Sequence, residues 1–194
     1  MFEYHGQPYE KLVIDFQHWS EMRSQGTVGE FDRLPIITVV NRGREVDLGQ
    51  PLAVLRCFGI KFGYYDSTDW ELACLIDPII DNWSDIMTAQ TNIVNAVSVS
   101  DEEKREMIKQ YIQKEVLKFH VLIENRLELT QGKFLAGDRL TIGDFVLLSY
   151  TANVIKNIKS PFSAVTAAVM ESAPRMKSYT EGLMIEFSDI LRKR

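Results

Sequence analysis

The sequence predicts two units of different class: an incomplete α/β unit over residues 1–65 and an all-helical unit over 66–194. Three observations carry this. Leu34 to Val40 is a run of strand formers, followed by the turn residues Asn41-Arg42-Gly43-Arg44 and the alternating stretch Glu45-Val46-Asp47-Leu48. From Ser67 onward the apolar residues recur every three to four positions, which is helical spacing. Polar residues over Asp66–Asp69 separate the two patterns.

The elements follow in order. Lys11-Leu12-Val13-Ile14-Asp15-Phe16 is rich in strand formers and predicts a short strand. Leu34–Val40 and Glu45–Leu48 predict a β-hairpin with a loop of about four residues. Leu52, Leu55, Phe58 and Phe62 share a helical face bordered by Val54, so Pro51 to Phe62 predicts a helix with Pro51 at its first position and Gly63 at its end. Thr68-Asp69-Trp70-Glu71 has capping-box form with Thr68 as the cap, and Pro78 is expected to kink or break the helix it opens. Ser100-Asp101-Glu102-Glu103 is a second capping box. It opens a long amphipathic segment carrying Met107, Ile108, Tyr111, Ile112, Leu117, Phe119, Leu122 and Leu127. Thr141 and Asp144 form a third box at the head of Leu140–Phe145, with Leu140 and Phe145 placed as a hydrophobic staple. Pro161 and Pro174 bracket shorter helices, and Thr180 to Leu191 reads as the last one.

The bulk properties exclude several classes. With 22 basic against 27 acidic side chains in 194 residues, the net charge is −5, the wrong sign for binding nucleic acid through phosphate neutralisation. No apolar run reaches the roughly 18 residues a membrane span needs. The first residues, Met1-Phe2-Glu3-Tyr4-His5-Gly6, lack the basic-then-apolar order of a secretory signal. Cys57 and Cys74 make no disulfide framework and point to a cytoplasmic or other reducing compartment. His5, His18 and His120 show no metal-ligand spacing, so no metal is expected.

Three motifs resemble the cytosolic glutathione S-transferase family, sigma and alpha classes, over nearly the whole chain. The first is Arg33-Leu34-Pro35-Ile36-Ile37 with Gly49-Gln50-Pro51-Leu52. The second is Asp15-Phe16-Gln17-His18-Trp19-Ser20-Glu21-Met22-Arg23, and the third is Gly137-Asp138-Arg139-Leu140-Thr141-Ile142-Gly143-Asp144-Phe145, which is similar to the family's helical-domain signature. The resemblance implies a thioredoxin-like N-terminal domain followed by a glutathione-transferase-type helical domain. It implies glutathione as substrate or ligand. Leu34 and a cis Pro35 would pair with its cysteinyl part, Gln50 and Pro51 would meet the γ-glutamyl group, and Trp19, Arg23 and the nearby Arg33 would meet the glycyl end. Asp85 would reach the amine across a dimer interface. Other readings stand beside these: Trp19 as an ordinary half-buried aromatic, and Asp77, Asp81 and Asp85 as a solvated stripe or a cation site.

The sequence departs from the family in two places. Pro51 stands where Ser is usual, which removes an N–H and a hydroxyl that would meet a carboxylate. At roughly 1.5–3 kcal/mol each, that is a loss on the order of a hundredfold in affinity. The family's first strand and most of its first helix, with the catalytic hydroxyl or thiol, also have no counterpart. Tyr4 and Tyr9 match later positions, and Cys57 reads as a core residue, so no catalytic residue is assigned. The expectation is a catalytically impaired glutathione S-transferase-like protein serving as a structural or accessory subunit, as a homodimer or in a larger complex, with strand donation from a partner as one way to fill the sheet. The alternative is an active transferase that conjugates glutathione to electrophiles or isomerises a lipid peroxide, and a carrier of apolar ligands is a third reading.

Overall fold

The computed structural model describes residues 1–26, 28 and 34–193. Among the described residues it has a small two-stranded sheet and many helices, in line with the expected α/β unit followed by an all-helical unit. The chain divides into two compact units, Met1–Gly63 and Tyr64–Arg194.

In the first unit, α1 (Phe2–His5) ends at Gly6 in the left-handed region (φ 71°). Its Phe2 ring packs 4.5 Å from Phe58, and the His5 ring stacks 4.1 Å from Phe62. The strand predicted over Lys11–Phe16 does not form. Residues 11–15 have no ladder, and Phe16 is already the first residue of α2 (Phe16–Ser24). Strand propensity has effect only where a neighbouring strand supplies hydrogen bonds and side-chain partners. None lies alongside among the described residues, and Leu12, Val13 and Phe16 are 82%, 80% and 85% exposed. Asp15 instead accepts a hydrogen bond from the His18 N–H at 2.7 Å and caps the helix.

β1 (Ile37–Asn41) and β2 (Arg44–Leu48) form an antiparallel hairpin with Val39 opposite Val46 and Ile37 opposite Leu48. Its loop has two residues rather than the expected four, because Asn41 and Arg44 are themselves paired. Arg42 (φ 51°) and Gly43 (φ 75°) supply the positive φ values that a type I′ turn requires. α3 (Pro51–Phe62) has the predicted limits and ends at Gly63, φ 80°. It buries Val54, Phe58 and Phe62, spaced i, i+4, i+8, while Leu52 and Leu55 are only half-buried. Cys57 is exposed, so its expected place in the core is corrected.

In the second unit, α4 (Trp70–Val94) is capped by Asp69, which accepts from the Leu72 N–H at 2.9 Å. Thr68, the expected cap, donates its hydroxyl to Asp66 instead. Pro78 lies inside α4 without ending it. A proline frees the carbonyl four residues earlier, and here both Pro78 and Cys74 face solvent, where water can satisfy that group. α5 (Asp101–Tyr111) carries the full capping box between Ser100 and Glu103. It passes through a π-helical turn over Ile112–Val116 into α6 (Leu117–Thr130).

α7 (Ile142–Tyr150) is buried along almost its whole length and starts at the predicted Thr141–Asp144 box. A second π-helical turn, Thr151–Ile155, leads to α8 (Ser163–Met170). The last predicted helix begins earlier, at Pro174, and is split by Phe187 into α9 (Pro174–Glu186) and α10 (Ser188–Leu191). Proline fits a first helical position, and the next two N–H groups, of Arg175 and Met176, donate to the Glu124 carboxylate on α6 at 3.1 and 2.8 Å. That cap comes from another helix and has no local signal.

Candidate functional site

The hairpin register assembles the candidate site in the first unit. Beyond the last pair, Ile37 with Leu48, the two strands lead to Leu34-Pro35 on one side and Gln50-Pro51 on the other. Leu34 and Pro35 lie just before β1, and Gln50 and Pro51 just after β2, so both predicted pairs lie beyond the open end of the hairpin. The Leu34–Pro35 peptide is cis. Gln50 sits at φ 64°, ψ 103°, a conformation that non-glycine residues rarely adopt and that occurs mostly where the surroundings enforce it, ligand clamps included. Its side chain does not cap α3.

Pro51 is the first residue of α3 and contributes no N–H. The Val54 N–H is used by the Gln50 carbonyl at 3.0 Å, which leaves the N–H groups of Leu52 and Ala53 without a partner among the described residues and available to an anion. Trp19 and Arg23 are one turn apart on α2 and share a face, Trp19 half-buried and Arg23 exposed. Arg33 lies outside the described residues.

Asp85 belongs to the second unit, on the exposed side of α4. It lines a cavity of about 350 Å³ with Tyr111, Glu115 and Lys118. Burial first, then the carboxylates of Glu115 and Asp85, raises the Tyr111 hydroxyl above its ordinary value. Asp77, which the sequence groups with Asp85, accepts a hydrogen bond from Tyr65 at 2.7 Å. Among the described residues no group of three or more His, Cys, Asp or Glu is arranged to hold a metal ion. No described helix is long and apolar enough to cross a membrane.

Sequence reasoning passed over a buried polar pair in the second unit. His120 Nε2 lies 2.7 Å from the Tyr150 hydroxyl, and neither residue is exposed. Trp83 packs against Tyr150, with ring centroids 4.7 Å apart. A signal was present: His120 shares the helical face of Val116, Ile123 and Leu127, all buried.

Residues 88–183 match the family model for the glutathione S-transferase C-terminal domain. The chain is 26% identical over 159 residues to glutathione S-transferase 4 of Caenorhabditis elegans, covering 81% of this chain and 73% of that one. It is 25% identical over 186 residues to probable glutathione S-transferase 5 of the same animal, covering 93% and 87%. Among solved structures, monomeric Na-GST-3 from the hookworm Necator americanus superposes with a TM-score of 0.74 at 22% identity, over 94% of this chain and 82% of that one. Rat hPGDS complexed with a quinoline gives 0.75 at 17% identity, over 100% and 87%. Over residues 88–183 the chain is similar to the glutathione S-transferase C-terminal domain, and its fold is that of these solved structures.

Proposed function

We propose that this protein is a glutathione S-transferase-like chain with a weakened glutathione pocket and impaired catalysis, and that it acts as a structural or accessory subunit, as a homodimer or in a larger assembly. The observation that carries this reading is Pro51 at the first position of α3. Leu34, Pro35 and Gln50 lie beyond the same end of the hairpin and offer backbone groups and an amide to the tripeptide. Pro51 offers neither the N–H nor the hydroxyl of the Ser usual there. Trp19, Arg23 and Arg33 are assigned to the glycyl carboxylate and Asp85 to the amine. The exposed thiols of Cys57 and Cys74 agree with a reducing intracellular compartment. The exposed apolar residues Leu12, Val13 and Phe16 agree with a partner that covers them, by strand donation or otherwise.

Calorimetric titration with glutathione tests the reading, comparing the chain with Pro51→Ser. The expected result is weak binding that tightens on the order of ten- to a hundredfold in the variant, as one or two charge-directed hydrogen bonds return. Equal affinities in the two proteins, or steady conjugation of glutathione to an electrophile by the unaltered chain, would overturn it. The second outcome would establish the other reading, an active transferase, which the names of the curated relatives favour.

A further inference from the structure

The buried pair in the helical unit has a third polar neighbour. Thr166 on α8 is fully buried and bears on the Tyr150 hydroxyl, yet its own oxygen closes no hydrogen bond among the described residues, and neither does His120 Nδ1. The pair also lies between the two π-helical turns. The turn Ile112–Val116 ends four residues before His120, and the turn Thr151–Ile155 starts immediately after Tyr150. Such turns are rare and concentrate at functional sites. α8 packs against both of them.

Of the helices around the pair, α8 is the most lightly held. It has eight residues, of which Thr166 and Met170 are buried, whereas α7 buries eight of its nine. Its Ser163 hydroxyl donates to the Ile155 carbonyl at 2.7 Å, at the end of the second π-helical turn. Non-helical connections, residues 156–162 and 171–173, flank it on both sides. Segments with few buried side chains open locally at lower cost than the core.

No charge compensates a proton on the imidazole, and burial alone depresses its pKa. α4 turns Trp83 to the pair, α5 brings Tyr111 near Tyr150, and α8 carries no titratable residue. Asp85 of α4 and Glu115 bear on Tyr111, and Glu115 is paired with Lys118. Glu124, one turn beyond His120 on α6, is held by the Arg175 and Met176 N–H groups of α9, and Asp144 of α7 is held by Tyr179 of α9. Once protonated, both ring nitrogens are donors. The Tyr150 oxygen can meet Nε2, and Nδ1 then needs an acceptor that the core does not offer.

We propose that α8 is an acid-released flap: protonation of His120 is accommodated by α8 lifting from the two π-helical turns, which lets water reach the charged ring. The connections over residues 156–162 and 171–173 permit this while α6 and α7 stay folded. The proton comes from solvent and returns to it as pH rises, so the movement is reversible.

Native-state amide hydrogen exchange at pH 7.5 and pH 4.5, with intrinsic rates divided out, tests this. Opening constants for the Thr166–Met170 amides are expected to rise roughly thirty- to a hundredfold at the lower pH, for a ring that titrates at about 4 when covered and at 6.5 when free. The Val146–Leu148 amides of α7 are expected to keep smaller constants at both pH values. In His120→Gln the rise in α8 is expected to vanish. Where that variant does not fold, the comparison of α8 with α7 in the unaltered chain decides. Opening constants in α8 that ignore pH, that equal those of α7 at pH 4.5, or that rise as much in His120→Gln would overturn the proposal.

Discussion

In the centre of the helical unit, His120 on α6 and Tyr150 on α7 are joined by a hydrogen bond of 2.7 Å with no solvent contact at either residue. Neither belongs to the candidate glutathione site, and both affect stability. Burial holds the imidazole at a pKa of about 4, against 6.5 for a free side chain. It pushes the Tyr150 hydroxyl up. The ring is therefore neutral in the folded protein.

The sign of the pH dependence follows. Between pH 6.5 and about 4 the unfolded chain binds a proton at His120 that the folded chain refuses. Stability is full above the upper value and falls as pH is lowered through that window, by about 3 kcal/mol in all. Urea denaturation at pH 7.5 and at pH 4.5 is expected to show most of this loss, and His120→Gln to remove this component from the difference.

Tyr150→Phe leaves His120 Nε2 buried without its partner, beside an Nδ1 that has none among the described residues. The expected cost is about 1–3 kcal/mol of unfolding free energy at pH 7.5. A double-mutant cycle with His120→Gln should recover a coupling of the same order, since the two side chains share one bond.

Asp144 is the hub of the α7 start. Its carboxylate accepts from the Leu135 N–H at 3.0 Å, the Thr141 N–H at 2.7 Å, the Thr141 hydroxyl at 2.8 Å and the Tyr179 hydroxyl. Asp144→Ala strands donors of two fully buried residues, Leu135 and Thr141, and is expected to cost about 3–5 kcal/mol. Tyr179→Phe removes a single donor to the carboxylate, at about 1.5–3 kcal/mol. Chemical denaturation followed by far-UV circular dichroism ranks the two.

Gly132 has no room for a side chain. A Cβ there would come within 2.1 Å of the Gly137 backbone, which is not a flexible neighbour. Gly132→Ala must displace the loop in which Phe134 bridges Gly137, with an expected loss of about 1–3 kcal/mol or more. Gly182→Ala, inside α9 with nothing near the added carbon, is the contrasting control and should raise the unfolding free energy by about 0.5–1 kcal/mol, since alanine is the better helix former.

Much of the fold was legible because its signals are short-range. Ser100 with Glu103, Thr141 with Asp144, and Gly63 at the end of α3 each act within one helical turn, so neighbouring residues determine them. The residues of the candidate site were named from motifs, and four of them, Leu34, Pro35, Gln50 and Pro51, flank a hairpin that was itself visible in the alternation of apolar residues. The lost strand at Lys11–Phe16 shows the limit of local reading, since propensity without a neighbouring strand left Asp15 free to start a helix.

Sequence by itself determined the hairpin, the capping boxes of α5 and α7, the end of α3 at Gly63, and the placing of Leu34-Pro35 before and Gln50-Pro51 after the two paired strands. Tertiary structure alone decided that Glu124 caps α9 from 51 residues away, that α4 runs through Pro78, and that His120 is a core residue. The physical reason is range. Backbone propensity and capping act over three or four residues, whereas the cost of a buried imidazole or a freed carbonyl depends on what distant chain packs against it and on whether water can reach it.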